Sequence, residues 1–221
     1  MTADRLLQRA LKPAVFLGCL APMGLIAWDL ATGQIHGEWI KEITHRTGHW
    51  GLGIIVATLA ITPLRRLTGW NRLQSLRRMI GLFAFFYICV HFAIYLVLDQ
   101  FFDWHTIVKD VAKRPYITVG FTGFILMIPL ALTSTKGWIR RLGRRWVTLH
   151  SLIYVTALAG VVHFMWSVKA DRLRPTLLGL ALVFLLLARL VPRGLSDRLR
   201  GWLRAPRAAG ARTGPAPAVA D

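Results

Sequence analysis

The sequence predicts an all-α membrane protein, a bundle of six transmembrane helices with both termini cytoplasmic. Three observations lead there. Of 221 residues 55% are hydrophobic and the mean hydropathy is +0.48, far more apolar than an ordinary soluble domain. Six stretches reach the ~20 residues of helix that a hydrocarbon core about 30 Å thick requires. The 28 Lys and Arg residues gather between alternate stretches, as the positive-inside rule describes.

The spans fall at 14–30, 48–64, 79–98, 116–133, 146–168 and 175–191. Basic residues precede the first, as in a signal peptide, but "AWDLATGQ" offers no small-x-small cleavage site, so it reads as a retained anchor. Arg5, Arg9 and Lys12 lead it; Arg65, Arg66, Arg72, Arg77 and Arg78 join spans two and three. Lys136, Arg140, Arg141, Arg144 and Arg145 join spans four and five, and seven Arg follow from Arg189 onward. These segments are expected in the cytoplasm, and those around 31–46, 99–114 and 169–174 outside.

The expected organisation is an N-terminus over 1–13, a membrane domain over 14–192 and a tail over 193–221, whose "RAPRAAGARTGPAPAVAD" has a disordered composition. No internal repeat stands out. Between spans three and four, "DQFFDWHTIVKDVAKRP" reads either as an ordered loop or as a short amphipathic helix on the outer interface, ending before Pro115. The net charge of +18 is accounted for by topology and by attraction to anionic lipid headgroups, worth about 1 kcal/mol per basic residue near the surface. No soluble basic domain is present, so a nucleic-acid partner is not expected. Cys19 and Cys89 lie inside spans without CxxC or CxxCH context, which indicates packing residues and no covalent c-type haem.

Seven histidines carry the functional reading. His36 and His105 belong to outer segments, where solvation explains them. His45 and His49, four apart at the start of span two, share a helix face; the spacing can bind metal but no third ligand is near. An interfacial role suits His49, with His45 a weaker candidate cofactor contact. His91, His150 and His163 fall within spans, where an ionisable side chain is costly and usually faces the bundle interior.

Depth sorts these three. His91 is twelve residues past Met79, ~18 Å along the axis, and His163 is 17 past Trp146, ~25 Å, so both lie in the outer half. His150 is ~6 Å in, at the inner side. Two level histidines on neighbouring helices with a third one cofactor-length below suggest haem iron ligation in an apolar slot. Thirteen steps of ~100° leave His150 and His163 about 140° apart on an ideal helix, so a distortion or a rotamer difference is needed to aim both at one neighbour. Hydrogen bonding between helices is the plain alternative for any one of them. A proton relay has few stations, since the spans hold no Glu and only Asp29 near an end.

"LTSTKGWIRRLGRRWVTLHSLIYVTALAGVVHFMWSVK" (132–169), "LAITPLRRL" (59–67), "RRMIGLFAFFYICVHF" (77–92) and "RPYITVGF" (114–121) resemble the haem-binding membrane subunits of bacterial periplasmic methionine sulfoxide reductase systems. These belong to the ferric-reductase-like transmembrane family, whose six-helix fold is shared with NADPH oxidase and iron-reductase membrane domains. The resemblance covers all six spans. It implies haem b and FMN as cofactors, with His91, His150 and His163 the matching histidines and iron ligands. It also implies electron transfer across a bacterial inner membrane to a periplasmic molybdopterin methionine sulfoxide reductase subunit that repairs oxidised proteins.

Members of the wider fold pair two histidines on span three with two on span five; here the inner position of span three, 13 or 14 residues before His91, holds Arg77 or Arg78. The short tail and the lack of a GxGxxG motif imply an external reductant, a cytosolic flavin reductase or membrane quinol. Arg77, Arg78 and Arg144 would suit the phosphate of FMN, since Arg fork-bonds phosphate; they serve equally as topology signals and lipid anchors. The resulting expectation is an electron-transfer subunit with an outer haem on His91 and His163 and an inner cofactor on His150. Its alternatives are a stand-alone ferric or quinone reductase and a histidine-based metal or proton transporter.

Overall fold

The computed structural model describes residues 3–168 and 171–190, with side chains from residue 10 onward. The tail expected over 193–221 lies outside the described residues. All regular structure among the described residues is helical. Six helices have the length and composition to cross a membrane: Ala10–Ala31, Trp39–Thr68, Asn71–Asp99, Pro115–Leu132, Arg144–Ser167 and Leu173–Leu190. The chain is therefore a multi-pass membrane protein. Each expected span overlaps one of them.

The first helix, α1 (Ala3–Ala31), contains Pro13 and Pro22. Proline removes a backbone donor and clashes with the carbonyl one turn back, which opens the ladder. The opening at Pro22 is filled from another helix: the Tyr87 hydroxyl donates to the Cys19 carbonyl at 2.9 Å and accepts from the Met23 amide at 2.9 Å. Those two backbone groups are an i, i+4 pair that would otherwise bond each other.

Helix α2 (Trp39–Thr68) begins earlier than the apolar run at 48 suggested. Its charged first turns hold together because Arg46 pairs with Glu42 at 2.7 Å on the same helix and with Asp29 of α1 at 2.6 Å. His45 and His49 consequently sit inside the helix and not at its start. The helix closes on Gly69 in the left-handed conformation (φ 75°), its amide capping the Arg65 carbonyl. α2 is the central element, with 56% of its apolar window buried against 11% to 17% for the other spans. The first, third, fifth and sixth spans pack against it and the fourth packs on the third and fifth, with apolar residues such as Leu17, Val155, Phe184 and Leu187 exposed, the face a lipid-embedded bundle presents.

After a short 3₁₀ turn (Asn71–Leu73), α3 (Gln74–Ile94) continues into a π-helical turn, Tyr95–Asp99. Phe101 and Phe102 then reverse the chain with positive φ, 48° and 59°, unusual for bulky residues. Of the two readings for the segment ahead of Pro115, the helical one holds: α4 (Trp104–Lys113) is capped by Asp103, with Ile107 and Asp110 buried against the bundle and Trp104 and Val108 exposed. α5 (Pro115–Leu132) starts on Pro115, whose fixed φ and missing donor suit a first turn. Short α6 (Lys136–Leu142) leads to a fifth span in two pieces, α7 (Arg144–His150) and α8 (Leu152–Ser167). The sixth is α9 (Leu173–Leu190).

The core cluster joins Ile54, Ile55 and Leu59 of α2 to Ala84 and Tyr87 of α3, Met127 of α5, Ala157 of α8 and Leu182 of α9. Charge divides between the two ends of the bundle. One end carries the Arg65–Arg78, Lys136–Arg145 and Arg189 cations; the carboxylates whose side chains are described, from Asp29 to Asp171, lie at the other.

Candidate functional site

His91 of α3 and His163 of α8 come together as the rise along their helices predicts: their ring centroids are 6.1 Å apart with planes crossed at 81°. Each ring is held by one nitrogen. Nδ1 of His91 lies 2.9 Å from the Thr44 carbonyl of α2, and Nδ1 of His163 lies 2.7 Å from the Tyr116 carbonyl of α5. A carbonyl only accepts, so both Nδ1 atoms carry the proton and each Nε2 keeps its lone pair. That is the tautomer of a metal-ligating imidazole, with a backbone carbonyl behind it fixing orientation and raising basicity. Two imidazoles sharing one metal, each nitrogen about 2 Å from it, have centroids roughly 6 Å apart. The donor set and the spacing fit an iron bound by both rings.

The two seats are copies of one arrangement. Each hydrogen bond spans 47 residues. Carbonyls 44 and 116, glycines 48 and 120, and histidines 91 and 163 each differ by 72 in number, and so do Gly51 and Gly123, which lie 3.4 Å and 3.5 Å from the β-carbons of Tyr87 and Ala159 if given β-carbons of their own. The α2–α3 pair and the α5–α8 pair are thus a structural repeat. The sequence retains it chiefly as Gly-x-x-Gly at 48–51 and 120–123 and Val-His-Phe at 90–92 and 162–164, too short a signal to stand out as a repeat.

His150 differs. Its Nε2 lies 3.0 Å from Thr133 Oγ1 at the end of α5, and its ring stacks on Trp146 at 3.9 Å. Thr133 spends its own hydroxyl proton on the Pro129 carbonyl at 2.6 Å, so its oxygen accepts and His150 is protonated on Nε2. The anticipated helix distortion is present. At Ser151 the amide is shared between the Val147 and Thr148 carbonyls, and Tyr154 bonds back to Ser151 in a 3₁₀ step. His150 and His163 both reach α5 as a result. Under the repeat, the counterpart of His150 is Arg78 (150 less 72), so the inner position of span three holds an arginine.

His45, next to Thr44 on α2, lies close enough to act electrostatically on both rings, whereas His36 and His105 stay apart. His36 is exposed in the α1–α2 connection and His105 is exposed on α4. His49 packs against Phe164 at 5.9 Å with Nδ1 buried and without a partner. No group of three metal-binding side chains occurs among the described residues. At the basic end Arg189 reaches inward, donating to the Tyr154 hydroxyl and to the Leu59 carbonyl at 2.7 Å, while Arg66 bonds the Arg189 carbonyl at 3.0 Å.

The sequence profile described as "Ferric reductase like transmembrane component" matches residues 47–161, which contain both seats except Thr44 and His163. Over 182 residues the chain is 50% identical to a protein of Herminiimonas arsenicoxydans, covering 81% of this chain and 84% of that one. The chain belongs to the ferric-reductase-like MsrQ family. The Herminiimonas relative is named protein-methionine-sulfoxide reductase heme-binding subunit MsrQ, as is a Rhodospirillum rubrum protein 48% identical over 180 residues (81% of this chain, 86% of that one). A Xanthomonas campestris protein of the same name is 48% identical over 183 residues, covering 80% of this chain and 84% of the relative. No solved structure matches. Membership in the MsrQ family agrees with six apolar helices and no strand among the described residues.

Proposed function

We propose that this MsrQ-family chain is the haem-binding membrane subunit of a methionine sulfoxide reductase, with haem b bound between His91 and His163 and electrons delivered to a separate periplasmic reductase subunit. One observation carries it: two level imidazoles, 6.1 Å apart, both turned so that Nδ1–H faces a carbonyl and Nε2 is left to coordinate. The names of the relatives support the same reading. When bound, haem supplies a one-electron carrier whose potential the axial ligands tune. The chain's part is to hold the two rings in register and to keep each proton on Nδ1, donated to the Thr44 or Tyr116 carbonyl.

At the basic end, His150 serves a second cofactor, and FMN phosphate sits among Arg77, Arg78 and Arg144. The cluster of described arginines at that end favours an anion there. The positive-inside rule makes this end cytoplasmic, where a flavin reductase or quinol is the donor, so that the His91–His163 end faces the periplasm. The partner is a molybdopterin enzyme acting on oxidised proteins, on the strength of the family resemblance.

The test is spectroscopic. Purified protein should be red, with low-spin haem that His163→Ala abolishes and His105→Ala leaves intact. Colourless protein from haem-replete cells, or a full low-spin spectrum in His163→Ala, would sink the assignment. Flavin quantitation and reduction by reconstituted donor test the FMN and donor assignments separately.

A further inference from the structure

We infer that Gly48 and Gly120 are positioning residues: by lacking β-carbons they open the Thr44 and Tyr116 carbonyls to the imidazoles and set the crossed planes of His91 and His163. The inference rests on the haem reading above and concerns how the ligands are held.

A side chain in a helix leans toward the N-terminus and covers the turn before its own Cα. The carbonyl of residue 44 is therefore shielded by whatever side chain stands at 48, and that of 116 by the one at 120. A carbonyl already bonded within its helix has a second lone pair, open to a side chain of another helix where that cover is missing; the Thr44 carbonyl also accepts from the Thr47 hydroxyl at 3.0 Å. At both seats the cover is missing and the ring occupies the space. A β-carbon at Gly48 would stand 2.9 Å from His91 Nδ1 and 3.0 Å from its Cε1. At Gly120 it would stand 2.5 Å from His163 Nδ1 and 2.8 Å from Cε1. Contacts this close force the imidazole off its carbonyl, because a ring packed inside the bundle has no flexible end that can move aside.

Other glycines of the spans mark the contrast. Gly18, Gly24 and Gly53 have open space where a β-carbon would go. Among the described glycines, close approach to a histidine is confined to the two positions that the 72-residue repeat equates. Its duplication ties it to what stands beside it in both copies, an imidazole bonded by Nδ1 to a carbonyl. The same pair of contacts fixes each ring plane, and the two fixed planes cross at 81°.

Two measurable properties follow. The mutual angle of axial imidazole planes governs the splitting of the iron d orbitals, hence the g anisotropy of the low-spin ferric signal. The Nδ1–H to carbonyl bond makes each imidazole a stronger donor to iron, which favours the ferric state.

The experiment compares full-length Gly48→Ala, Gly120→Ala and Gly53→Ala, purified with their haem, by electron paramagnetic resonance and redox titration. The first two are expected to shift or lose the low-spin g values and to raise the midpoint potential, while Gly53→Ala matches wild type. Wild-type g values and potential in both Gly48→Ala and Gly120→Ala overturn the inference. Poor assembly of Gly48→Ala is resolved in the His91→Ala background. If the clash is with the ring, Gly48→Ala/His91→Ala accumulates as well as His91→Ala alone; an equal loss of folded protein there overturns the inference. The full low-spin signal surviving in both His91→Ala and His163→Ala instead refutes the haem assignment, a different result from silent glycine variants beside sensitive histidine ones.

Discussion

Thr133 holds Nε2 of His150 at 3.0 Å and thereby gives this histidine the opposite tautomer from His91 and His163, whose Nδ1 atoms carry the proton. Nε2 is the nitrogen that an inner haem iron would need, and Arg78 stands where a second histidine would complete a pair. His150→Ala is accordingly expected to remove only part of the bound haem and to spare the His91–His163 signal. Thr133→Val keeps the shape and removes the acceptor, so the low-spin fraction belonging to His150 should rise. Haem per protein with electron paramagnetic resonance checks both. Loss of the same signal in His150→Ala as in His91→Ala would mean that His150 is the partner of His91, and a smaller His150 fraction in Thr133→Val would exclude ligation by Nε2.

The Tyr87 hydroxyl lies inside the backbone ladder of α1, bonded to Cys19 and Met23. Its side chain is fully buried. Tyr87→Phe keeps the ring in the core and strands a backbone donor and acceptor opposite each other at the Pro22 opening. The cost is about 1–3 kcal/mol, read as a lower unfolding temperature of the detergent-solubilised protein. An unchanged unfolding temperature would mean that α1 re-closes its own bond.

Asp103 caps α4 by accepting from the Thr106 amide at 3.2 Å and the Thr106 hydroxyl at 2.7 Å, and these bonds hold its carboxyl below the usual range. A group with a depressed folded pKa stabilises above its unfolded value, about 3.9 for Asp, and that contribution disappears as pH falls through the folded value. Hydrogen exchange of the first α4 amides should therefore accelerate below about pH 4. In Asp103→Asn, which caps without titrating, this acceleration should be absent. Equal acid sensitivity in the two proteins would assign the effect to other carboxylates.

Much of this architecture is legible from apolar run length alone, since the bilayer fixes how long a span must be. The meeting of His91 and His163 is legible too, because a helix rises at a constant rate and counting residues from the basic ends gives their depths. What eludes such counting depends on other helices. The early start of α2 needs Asp29 of α1 to pair with Arg46. The repeat is hidden because lipid-facing positions ask only for hydrophobicity, so 72 residues of drift leave little beyond the two glycine pairs and Val-His-Phe. His45 and His49 look terminal only if the helix is assumed to end where the apolar run ends.

Arg189 is the residue whose reading changes most, from a topology signal to a backbone cap. The Leu59 carbonyl would bond the amide of residue 63, but residue 63 is proline and has none. Inside a bilayer no water replaces that donor, and an orphaned carbonyl costs free energy wherever it is buried. Nη2 of Arg189 supplies the bond at 2.7 Å from the neighbouring helix, while Nη1 donates to the Tyr154 hydroxyl. Arg189→Leu is expected to destabilise the bundle by about 1–3 kcal/mol through the stranded carbonyl. Arg189→Lys, with one compact ammonium, should recover only part of that because it cannot span Leu59 and Tyr154 together. Pro63→Ala restores an amide at position 63 and should rescue Arg189→Leu by more than it stabilises the wild type. Unfolding temperatures of the four proteins in one detergent form a double-mutant cycle. Additive effects of Pro63→Ala and Arg189→Leu would show that Arg189 contributes through charge at the membrane surface and not by capping Leu59.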